Sequence, residues 1–317
     1  MKNKIITFLK NSETYISGED LSRKLDISRS AIWKYVQELR SQGFVIEAVP
    51  HLGYQLKSIP DKLFPSEVQF QLKTKVFGKK IIYLDSLEST MDEAFQLAMN
   101  GANEGTIVCC ETQTKGKGRM GRKWSSPKGK GLYFSLILRP RMGPSQAARL
   151  TLMSAVALCE ALRQETKLDV NIKWPNDLLI DGKKIAGILT ELSAEMDGIR
   201  FVVIGVGINV NTPNSLLLDT ATSVKNETGK SFSRVEIFQS ILSSLEQWYI
   251  KVKDGDFGEV IDRWKELSST LGRDICLQDQ GGNVSGLAVD LSDDGALVIK
   301  NQKGVVMKRM TGDVVYG

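Results

Sequence analysis

The sequence is poor in the residues from which metal centres and charge-relay sites are usually built. It has one histidine, His51, in 317 residues, which excludes a site built on a histidine pair and most serine–histidine catalysis. None of its four cysteines stands in a C-x-x-C pair, and two of them are adjacent in an apolar stretch. The sequence therefore predicts buried free thiols, and neither a disulfide framework nor a zinc site, at Cys109, Cys110, Cys159 and Cys276.

Long apolar runs are missing as well. No segment of about 18 apolar residues appears, and the first residues do not form the charged and apolar regions of a secretory signal. We therefore expect no membrane span and a cytoplasmic location. The formal net charge of +5 is only a mild bias toward anionic partners.

A basic, glycine-rich stretch occupies residues 113–135 and runs into an apolar segment that predicts a buried strand. The stretch holds seven Lys/Arg, five glycines and no acid. Closely spaced glycines let backbone amides turn toward an anion, and the guanidinium groups of Arg119 and Arg122 can each bind phosphate oxygens with two donors. Composition alone leaves a second interpretation open, which is a flexible charged loop in solvent.

Five blocks of sequence favour the first interpretation. Residues 116–127 read G-K-G-R-M-G-R-K-W-S-S-P, which resembles the G-R-G-R-x-G-R-x-W-x-S-P signature of biotin–protein ligases. Four further blocks match in the expected order, namely E-S-T at 88–90, K-W-P-N-D at 173–177, K-I-A-G-I-L at 184–189 and G-V-G-I-N at 205–209. With the N-terminal segment, the resemblance covers nearly the whole chain and points to the bifunctional type, a ligase that also represses biotin genes.

Residues 1–60 have the pattern of a winged helix-turn-helix. In the third predicted helix, Ile32, Val36 and Leu39 follow one another at the spacing of a buried stripe. The predicted elements are, in order, a helix over 4–10, a second helix opened by a capping box at 17–20, a third helix capped by Ser28, and a hairpin wing over 44–49 and 54–57.

The outer face of that third helix is rich in hydrogen-bond donors, as expected of a recognition helix that contacts phosphates and base edges. Nine basic against six acidic residues up to Pro60 are a weak bias, so a three-helix packing module without DNA is the alternative. We expect the DNA contacts at Ser28, Arg29, Ser30, Trp33, Lys34, Gln37 and Arg40.

The remaining chain predicts an α+β fold in two further domains. Between residues 66 and 268, strand-like and helix-like stretches alternate, which indicates one mixed sheet covered by helices. Residues 201–206 are apolar on both faces, which predicts a central strand, and residues 144–167 carry an Ala/Leu-rich pattern that predicts a helix. The resemblance implies a catalytic domain of the class II aminoacyl-tRNA synthetase and biotin ligase type. Residues 269–317 hold short alternating segments separated by turns at 279–281, 292–295 and 301–304, which predict a small all-β barrel. The resemblance implies that this barrel is SH3-like.

The chemistry that the resemblance implies needs positive charge and no histidine base. Activation of an acid by ATP brings a carboxylate to the α-phosphate, so two anions must be held together while pyrophosphate leaves. By resemblance, the catalytic residues are Arg119, Arg122 and Lys184, and ATP is expected to enter with a Mg²⁺ whose protein ligands stay unassigned. The implied nucleotide-binding residues are Arg119, Arg122, Asp177, Lys184 and Asn209.

The implied biotin site joins an apolar trough to a few polar groups. Ser89, Thr90 and Gln113 match the family positions at the ureido end, and Trp124 matches the aromatic wall. Taken singly, Ser89 and Thr90 predict a helix cap, and Trp124 predicts core. The implied biotin-binding residues are Ser89, Thr90, Gln113, Lys117, Gly118, Arg119, Trp124, Lys184, Gly205 and Gly207.

Two activities follow from the resemblance. The ligase forms biotinoyl-5'-AMP and transfers biotin to a lysine of the biotin carboxyl carrier protein of acetyl-CoA carboxylase and of other biotin-dependent carboxylases. The repressor controls genes of biotin synthesis and transport as a homodimer on a palindromic operator, with biotinoyl-5'-AMP as co-repressor. The hypothesis is that the adenylate orders residues 115–128 and so favours dimerisation through the central sheet.

Two departures from the family pattern and several alternatives stay open. Lys117 stands where the motif has arginine, so a point charge replaces a two-donor contact. Residues 212–224 contain no tryptophan, the residue that covers the adenine in some relatives. The alternatives are a lipoate ligase-like acyl transferase and a catalytically dead biotin-sensing repressor. Residues 1–60 could also be a vestige on a working ligase.

Overall fold

The chain folds into two compact units. The computed structural model describes residues 1–195, 198–279 and 282–316, and the units span Met1–Lys62 and Leu63–Gly317. Within these described residues, no helix is both long and apolar enough to cross a bilayer. The elements of the first unit are α1 (Lys2–Lys10), α2 (Gly18–Leu25), α3 (Arg29–Ser41), β1 (Val45–Val49) and β2 (Gly53–Ser58).

Side-chain caps define the helix-turn-helix of the first unit. Ser17 Oγ accepts a hydrogen bond from Asp20 N (3.0 Å) at the start of α2, and Ser28 Oγ accepts one from Ala31 N (3.2 Å) at the start of α3. Such caps satisfy amides that have no partner inside the helix. Strands β1 and β2 form the antiparallel wing, so the predicted winged helix-turn-helix is confirmed. The buried helix residues are Ile5, Ile6, Leu9, Leu21, Leu25, Ile32, Val36 and Leu39.

A seven-stranded mixed sheet forms the centre of the second unit. Its strands are, along the chain, β3 (Ile81–Leu84), β4 (Ile107–Cys110), β5 (Gly131–Leu138), β6 (Asn171–Lys173), β7 (Asp177–Ile180), β8 (Lys183–Glu195) and β9 (Gly198–Asn209). Across the sheet the order is β3-β4-β5-β9-β8-β7-β6, in which β3 and β4 are parallel and the other neighbours are antiparallel. Strand β9 is therefore central, as its continuous apolar run predicted.

The helices of this unit are α4 (Pro65–Gln69), α5 (Thr90–Met99), α6 (Ala147–Thr166), α7 (Val224–Thr228), α8 (Arg234–Lys253) and α9 (Phe257–Glu266). The one-turn helices α4 and α7 were not predicted, because five residues are too few for a periodic pattern. The helix predicted from residue 144 is wrong in its first turn. There Pro144–Gln146 is a 3-10 turn, in which the Gln146 side chain accepts from Gly143 N (3.1 Å).

The two faces of the sheet are covered by different helices. Successive residues of a strand point to opposite faces. On one face, α6, α8 and α9 pack on the sheet and build the main core. On the other face, α5 packs against Phe201 and Val203 of β9. The next residues of β9 on that face are Gly205 and Gly207, which have no side chains to fill the space beside α5.

A five-stranded antiparallel sheet follows α9. Its strands are β10 (Asp274–Asp279), β11 (Gly282–Leu291), β12 (Leu297–Lys300), β13 (Val306–Arg309) and β14 (Asp313–Tyr316), in the order β13-β12-β11-β10-β14. The predicted turn at 279–281 lies, at residues 280 and 281, outside the described residues. Strand β14 was not among the predicted strands. The fold class predicted from sequence is confirmed, with a helix-turn-helix, a central mixed sheet and a C-terminal antiparallel sheet.

The four cysteines are free, as predicted. Cys109, Cys110 and Cys159 are buried, whereas Cys276 is half-buried on β10. Burial disfavours the thiolate and raises the pKa of Cys110 and of Cys159 to about 12. These two thiols therefore act as small apolar packing groups.

A buried ion pair joins distant parts of the second unit. Glu111, directly after β4, lies 2.8 Å from Arg234 of α8, and their side chains are 2% and 1% exposed. Glu111 Oε1 also accepts from Leu63 N (3.0 Å), and Arg234 Nη1 donates to Gly131 O (3.2 Å). Removal of one partner would leave the other charge buried without compensation.

We expect Arg234→Met to lower the free energy of unfolding by about 3–5 kcal/mol, because the Glu111 charge then stays in the core without its partner. Arg200→Met is the matched control, since the ion pair of Arg200 with Glu195 (3.3 Å) is exposed and contributes about 0–1 kcal/mol. Urea denaturation followed by circular dichroism measures both variants. Equal losses of stability would contradict the structural importance of the buried pair.

Candidate active site

A cavity of about 800 Å³ opens on the face of the sheet where β9 carries Gly205 and Gly207. Gly207 lies opposite Gly187 of β8. A Cβ at position 207 would lie 2.4 Å from Trp124 Cε2, and a Cβ at position 205 would lie 2.3 Å from Met91 Sδ. A real Cβ cannot approach so closely, so a side chain at position 207 would displace the indole of Trp124, and one at position 205 would displace the thioether end of Met91. The missing side chains allow the indole of Trp124 to lie against the strands and to form one wall of the cavity.

A connected set of polar side chains lies at the start of α5. Gln113 Oε1 accepts from Thr90 N (2.8 Å) and from Thr90 Oγ1 (3.1 Å), and Gln113 Nε2 donates to Ser126 Oγ (2.9 Å). Ser135 Oγ of β5 donates to Thr90 Oγ1 (2.9 Å). These bonds hold Gln113, at the start of the glycine-rich loop (residues 113–131), and Ser126, in its second half, against α5 and β5.

Ser89 stands at the N-cap position of α5 without acting as a side-chain cap. Its side chain makes no capping hydrogen bond, and its buried Oγ has no hydrogen-bond partner within the described part of the chain. The predicted N-cap position is therefore confirmed, but the expected side-chain capping bond is missing. The buried Nε1 of Trp124 likewise has no hydrogen-bond partner among the described residues. A buried polar atom without a partner costs free energy, so these two atoms are candidates for ligand contacts.

The two arginines of the loop meet at a carboxylate from the C-terminal sheet. Arg119 Nη1 lies 3.3 Å from Asp313 Oδ1 and donates to Asn176 Oδ1 (2.8 Å), and Arg119 Nη2 donates to Gly312 O (3.2 Å). Arg122 Nη2 pairs with Asp313 Oδ2. Asp313 was not predicted as a site residue, because it lies 191 residues after Arg122 and in no matched block.

Two lysines of the cavity are also paired with carboxylates. Lys184 Nζ lies 2.6 Å from Asp177 Oδ1 and 5.5 Å from the ring centre of Trp124. Lys117 pairs with Asp92, and this hydrogen bond raises the pKa of the Lys117 ammonium. Because these ion pairs are partly exposed, each contributes little stability, and a bound anion can replace the carboxylate at small cost.

Lys173 and Asn176 also line the cavity but were not assigned to the site. Burial is the main cause that lowers the pKa of Lys173, and the Asp177 carboxylate opposes it. The Lys173 Nζ lies 5.0 Å from the ring centre of Tyr316. Both residues stand inside the matched block 173–177, so the sequence contained a signal for them.

The segment after β9 forms an apolar rim. Leu216 and Leu218 line the cavity and are 48% and 78% exposed. Two hydrogen bonds tie this segment to the sheet, from Asn209 Nδ2 to Thr222 O (3.1 Å) and from Lys184 N to Thr220 O (2.9 Å). Residues 212–224, which contain no tryptophan, therefore place leucines at the mouth of the cavity.

The structure brings almost all predicted ligand-binding residues together. Ser89 does not line the cavity, although it adjoins Thr90, which does. The predicted biotin and nucleotide residues that line it are Thr90, Gln113, Lys117, Gly118, Arg119, Arg122, Trp124, Asp177, Lys184, Gly205, Gly207 and Asn209.

The predicted DNA-binding residues lie on and beside α3 in the first unit. Arg29, Trp33 and Lys34 are exposed, and the exposed fraction of Trp33 is 58%. Arg40 differs, since its Nε and Nη2 both donate to Ile46 O of β1, at 3.0 and 2.6 Å. In this structure Arg40 holds the wing against α3. The other residues predicted there are Ser28, Ser30 and Gln37, of which Ser28 is the helix cap.

Known proteins match the chain along its length. Residues 2–55 match the HTH domain, residues 83–209 the Biotin/lipoate A/B protein ligase family, and residues 270–317 the Biotin protein ligase C terminal domain. All of the chain aligns, at 40% identity, with 98% of the Bifunctional ligase/repressor BirA of Bacillus subtilis. The chain belongs to the biotin protein ligase family.

Further members of the ligase family agree with this assignment. The Bifunctional ligase/repressor BirA of Escherichia coli is 30% identical over 98% of this chain and 95% of its own. The biotin protein ligase from Aquifex aeolicus, solved in complex with biotin and ATP, is similar with a TM-score of 0.64 and 32% identity. That similarity covers 75% of this chain and 98% of the Aquifex chain.

Gly205 and Gly207 of β9 form what we call the glycine floor of the ligase cavity, and alanine at position 207 tests its importance. Gly207→Ala would push its Cβ into Trp124, and overpacking of this kind costs about 1–3 kcal/mol of stability. Gly258→Ala in α9 is the control, because an added Cβ meets nothing within 4 Å there and alanine favours a helix. Urea unfolding and the tryptophan emission spectrum measure the effect. Unchanged stability and emission in Gly207→Ala would show that Trp124 does not depend on that glycine.

Proposed function

We propose that the chain is an ATP-dependent biotin–protein ligase that is also a biotin-responsive repressor. The observation that carries this proposal is the cavity itself, in which Arg119, Arg122 and Lys184 line the same space as the Trp124 wall. The full-length similarity to proteins named as bifunctional ligase/repressors supports both activities.

The biotin end of the cavity is the part around α5. The glycine floor and the Trp124 indole offer an apolar trough for the ring system. The ureido group has two N–H donors and one carbonyl acceptor, and the polar atoms of Ser89, Thr90 and Gln113 are the groups proposed to bind it. Thr90 and Gln113 support this choice because they line the cavity, and Ser89, whose buried Oγ lacks a partner within the described residues, adjoins Thr90.

The cations are proposed to bring two anions together. The biotin carboxylate oxygen attacks the α-phosphorus of ATP, and the bond to pyrophosphate breaks. Arg119, Arg122 and Lys184 offset the repulsion between the carboxylate and the phosphates, and stabilise the charge that the leaving pyrophosphate takes up. Asp177 and Asn209 are the proposed polar contacts of the nucleotide, beside the leucine rim.

A Mg²⁺ that enters with ATP fits this set of side chains. Within the described residues no group of three histidine, cysteine or carboxylate side chains could hold a metal on its own. That is typical of Mg²⁺, which keeps several waters and is bound by substrate phosphates with one or two carboxylates. Asp177 and Asp313 are the carboxylates that line the cavity in the described residues, and Asp177 is the one proposed to contact the ion. The ion would neutralise phosphate charge as pyrophosphate leaves.

The second half-reaction transfers biotin to the carrier protein. The neutral amine of the acceptor lysine attacks the carbonyl carbon of biotinoyl-5'-AMP, the bond to the phosphate oxygen breaks, and AMP leaves. Water competes for the same carbon, so the intermediate must be covered. We propose that residues 115–128 cover it, with Trp124 lying over the glycine floor.

Two observations weigh against the alternatives. A lipoate ligase-like transferase would have little use for the polar network of Thr90, Gln113 and Ser126, because the lipoyl ring offers no ureido group. A catalytically dead sensor need not keep three cations around the phosphate end. The matched family includes both biotin and lipoate ligases, so substrate choice is decided by experiment.

We expect the intact chain to transfer labelled biotin to a biotin carboxyl carrier domain with ATP and Mg²⁺. Arg119→Ala and Lys184→Ala should each lose roughly 100-fold or more, because each removes a charge that stabilises the transition state. Lys183→Ala is the control, since its exposed side chain neighbours Lys184 in sequence. Biotin binding without transfer would favour the dead sensor, and acceptance of lipoate alone would favour the lipoate ligase.

For the repressor activity we propose that α3 enters the major groove of operator DNA. Arg29 and Lys34 would contact phosphates, and Gln37 would reach base edges with Trp33 beside it. Arg40 would orient the wing. A homodimer on a palindromic operator, formed when biotinoyl-5'-AMP orders residues 115–128, completes the proposal. The domains would then be residues 1–60 for DNA, 66–268 for catalysis and 269–317 as an SH3-like domain, in a cytoplasmic protein.

Arg29→Ala and Lys34→Ala should each weaken operator binding, and each should reduce the slope of log K against log salt concentration by about 1. The control is Lys4→Ala, an exposed lysine on α1. The DNA is a duplex selected from a random pool with the intact protein, biotin and ATP, and binding is followed by fluorescence anisotropy. Failure to enrich any palindrome, or a dimerisation constant that the adenylate leaves unchanged, would overturn the repressor proposal.

A further inference from the structure

One carboxylate holds both arginines of the glycine-rich loop. Asp313 Oδ1 lies 3.3 Å from Arg119 Nη1, and Asp313 Oδ2 pairs with Arg122 Nη2. The side chains of Asp313 and Arg119 are 25% and 22% exposed, so this pairing is less screened by solvent than an ordinary surface pair. Asp313 also lines the cavity.

The position of this carboxylate is fixed by the C-terminal sheet. Asp313 begins β14 and pairs with Gln278 of β10. Gly312 before it has a φ of 137°, and a Cβ there would lie 2.8 Å from Leu277 Cγ, so the start of the strand is packed closely. The Gly312 carbonyl also accepts from Arg119 Nη2 (3.2 Å). These contacts fix the backbone position from which the Asp313 side chain extends toward the arginines.

Asp313 and the phosphates of a nucleotide need the same donors. Phosphate oxygens bind guanidinium groups through the geometry that a carboxylate uses. If both anions were present, the negative charge of Asp313 would lie close to that of the phosphates, which raises the free energy of the complex. Two other carboxylates near the cavity form ion pairs with lysines, Asp177 with Lys184 and Asp92 with Lys117.

We infer that Asp313 tunes the affinity for ATP by competing with the nucleotide phosphates for Arg119 and Arg122. It pairs with the arginines in the empty site, gives them up when ATP binds, and takes them back as pyrophosphate leaves. Asp313 thereby weakens ATP binding and promotes pyrophosphate release. The inference rests on the proposed ligase function, because the phosphates are those of its ATP.

A purely structural role for Asp313 predicts effects of opposite sign. If the carboxylate only positions the two guanidinium groups, its loss leaves them disordered, and ATP and pyrophosphate then bind more weakly. If Asp313 competes with the phosphates, its loss makes both bind more tightly. The sign of the change in the KM for ATP therefore separates the two roles.

The test is Asp313→Asn in the full chain, with biotin saturating and biotinoyl-5'-AMP trapped by hydroxylamine. We expect the KM for ATP to fall roughly fivefold to tenfold, the effect of removing a nearby like charge, and inhibition by added pyrophosphate to strengthen by a similar factor. Asp313→Glu keeps the charge and should stay within about twofold of the wild type by the same argument. Asp274→Asn, an exposed carboxylate of β10, controls for the change in net charge.

An unchanged or higher KM for ATP in Asp313→Asn, or an equal fall in Asp274→Asn, would overturn the inference. Circular dichroism and urea unfolding check that the variant is folded. If asparagine disturbs the sheet, Asp313→Ser, which also lacks the charge, is used in place of Asp313→Asn. If the wild type itself forms no adenylate, the proposed function fails. If the wild type forms it and the KM does not fall in the uncharged variants, only the role of Asp313 fails.

Discussion

The absence of side chains at Gly205 and Gly207 is the constraint on which the rest of the cavity depends. Both glycines follow Phe201 and Val203 on the same face of β9, so the face changes within a few residues from filled to open. Trp124 uses that space, and its position determines where the glycine-rich loop passes over the sheet. This course of the loop brings Gln113 to its polar network and brings the arginines of the loop to Asp313.

Charge in the cavity is balanced by carboxylates that belong to different parts of the chain. Lys184 is paired within the central sheet by Asp177, Lys117 by Asp92 of α5, and the arginines by β14 of the C-terminal sheet. The loop thus contacts two of these elements, α5 and β14, through ion pairs that are weak singly. Such an arrangement keeps a strongly basic loop ordered while leaving it able to exchange partners with a phosphate.

Features set by residues close together in the sequence were predictable, whereas contacts between residues far apart in the chain were not. The caps at Ser17 and Ser28 and the central strand β9 follow local rules, and they were predicted correctly. The candidate site was largely predicted through its resemblance to a family, since the matched blocks hold most of the cavity residues. Asp313 was missed because tertiary packing alone brings β14 to the loop. Ser89 occupies the predicted N-cap position, but its hydroxyl makes no capping hydrogen bond, which no local pattern encodes.

The long separation between the loop and its carboxylate also matters while the chain is being made. Arg122 leaves the ribosome 191 residues before Asp313, which at ordinary rates of synthesis is about 10 to 40 s. Throughout that interval the loop carries its arginines without the carboxylate that pairs with them in the finished fold. An unpaired basic segment attracts polyanions. The carboxylate that offsets the charge of these two arginines is therefore supplied by the last strand of the chain to be made.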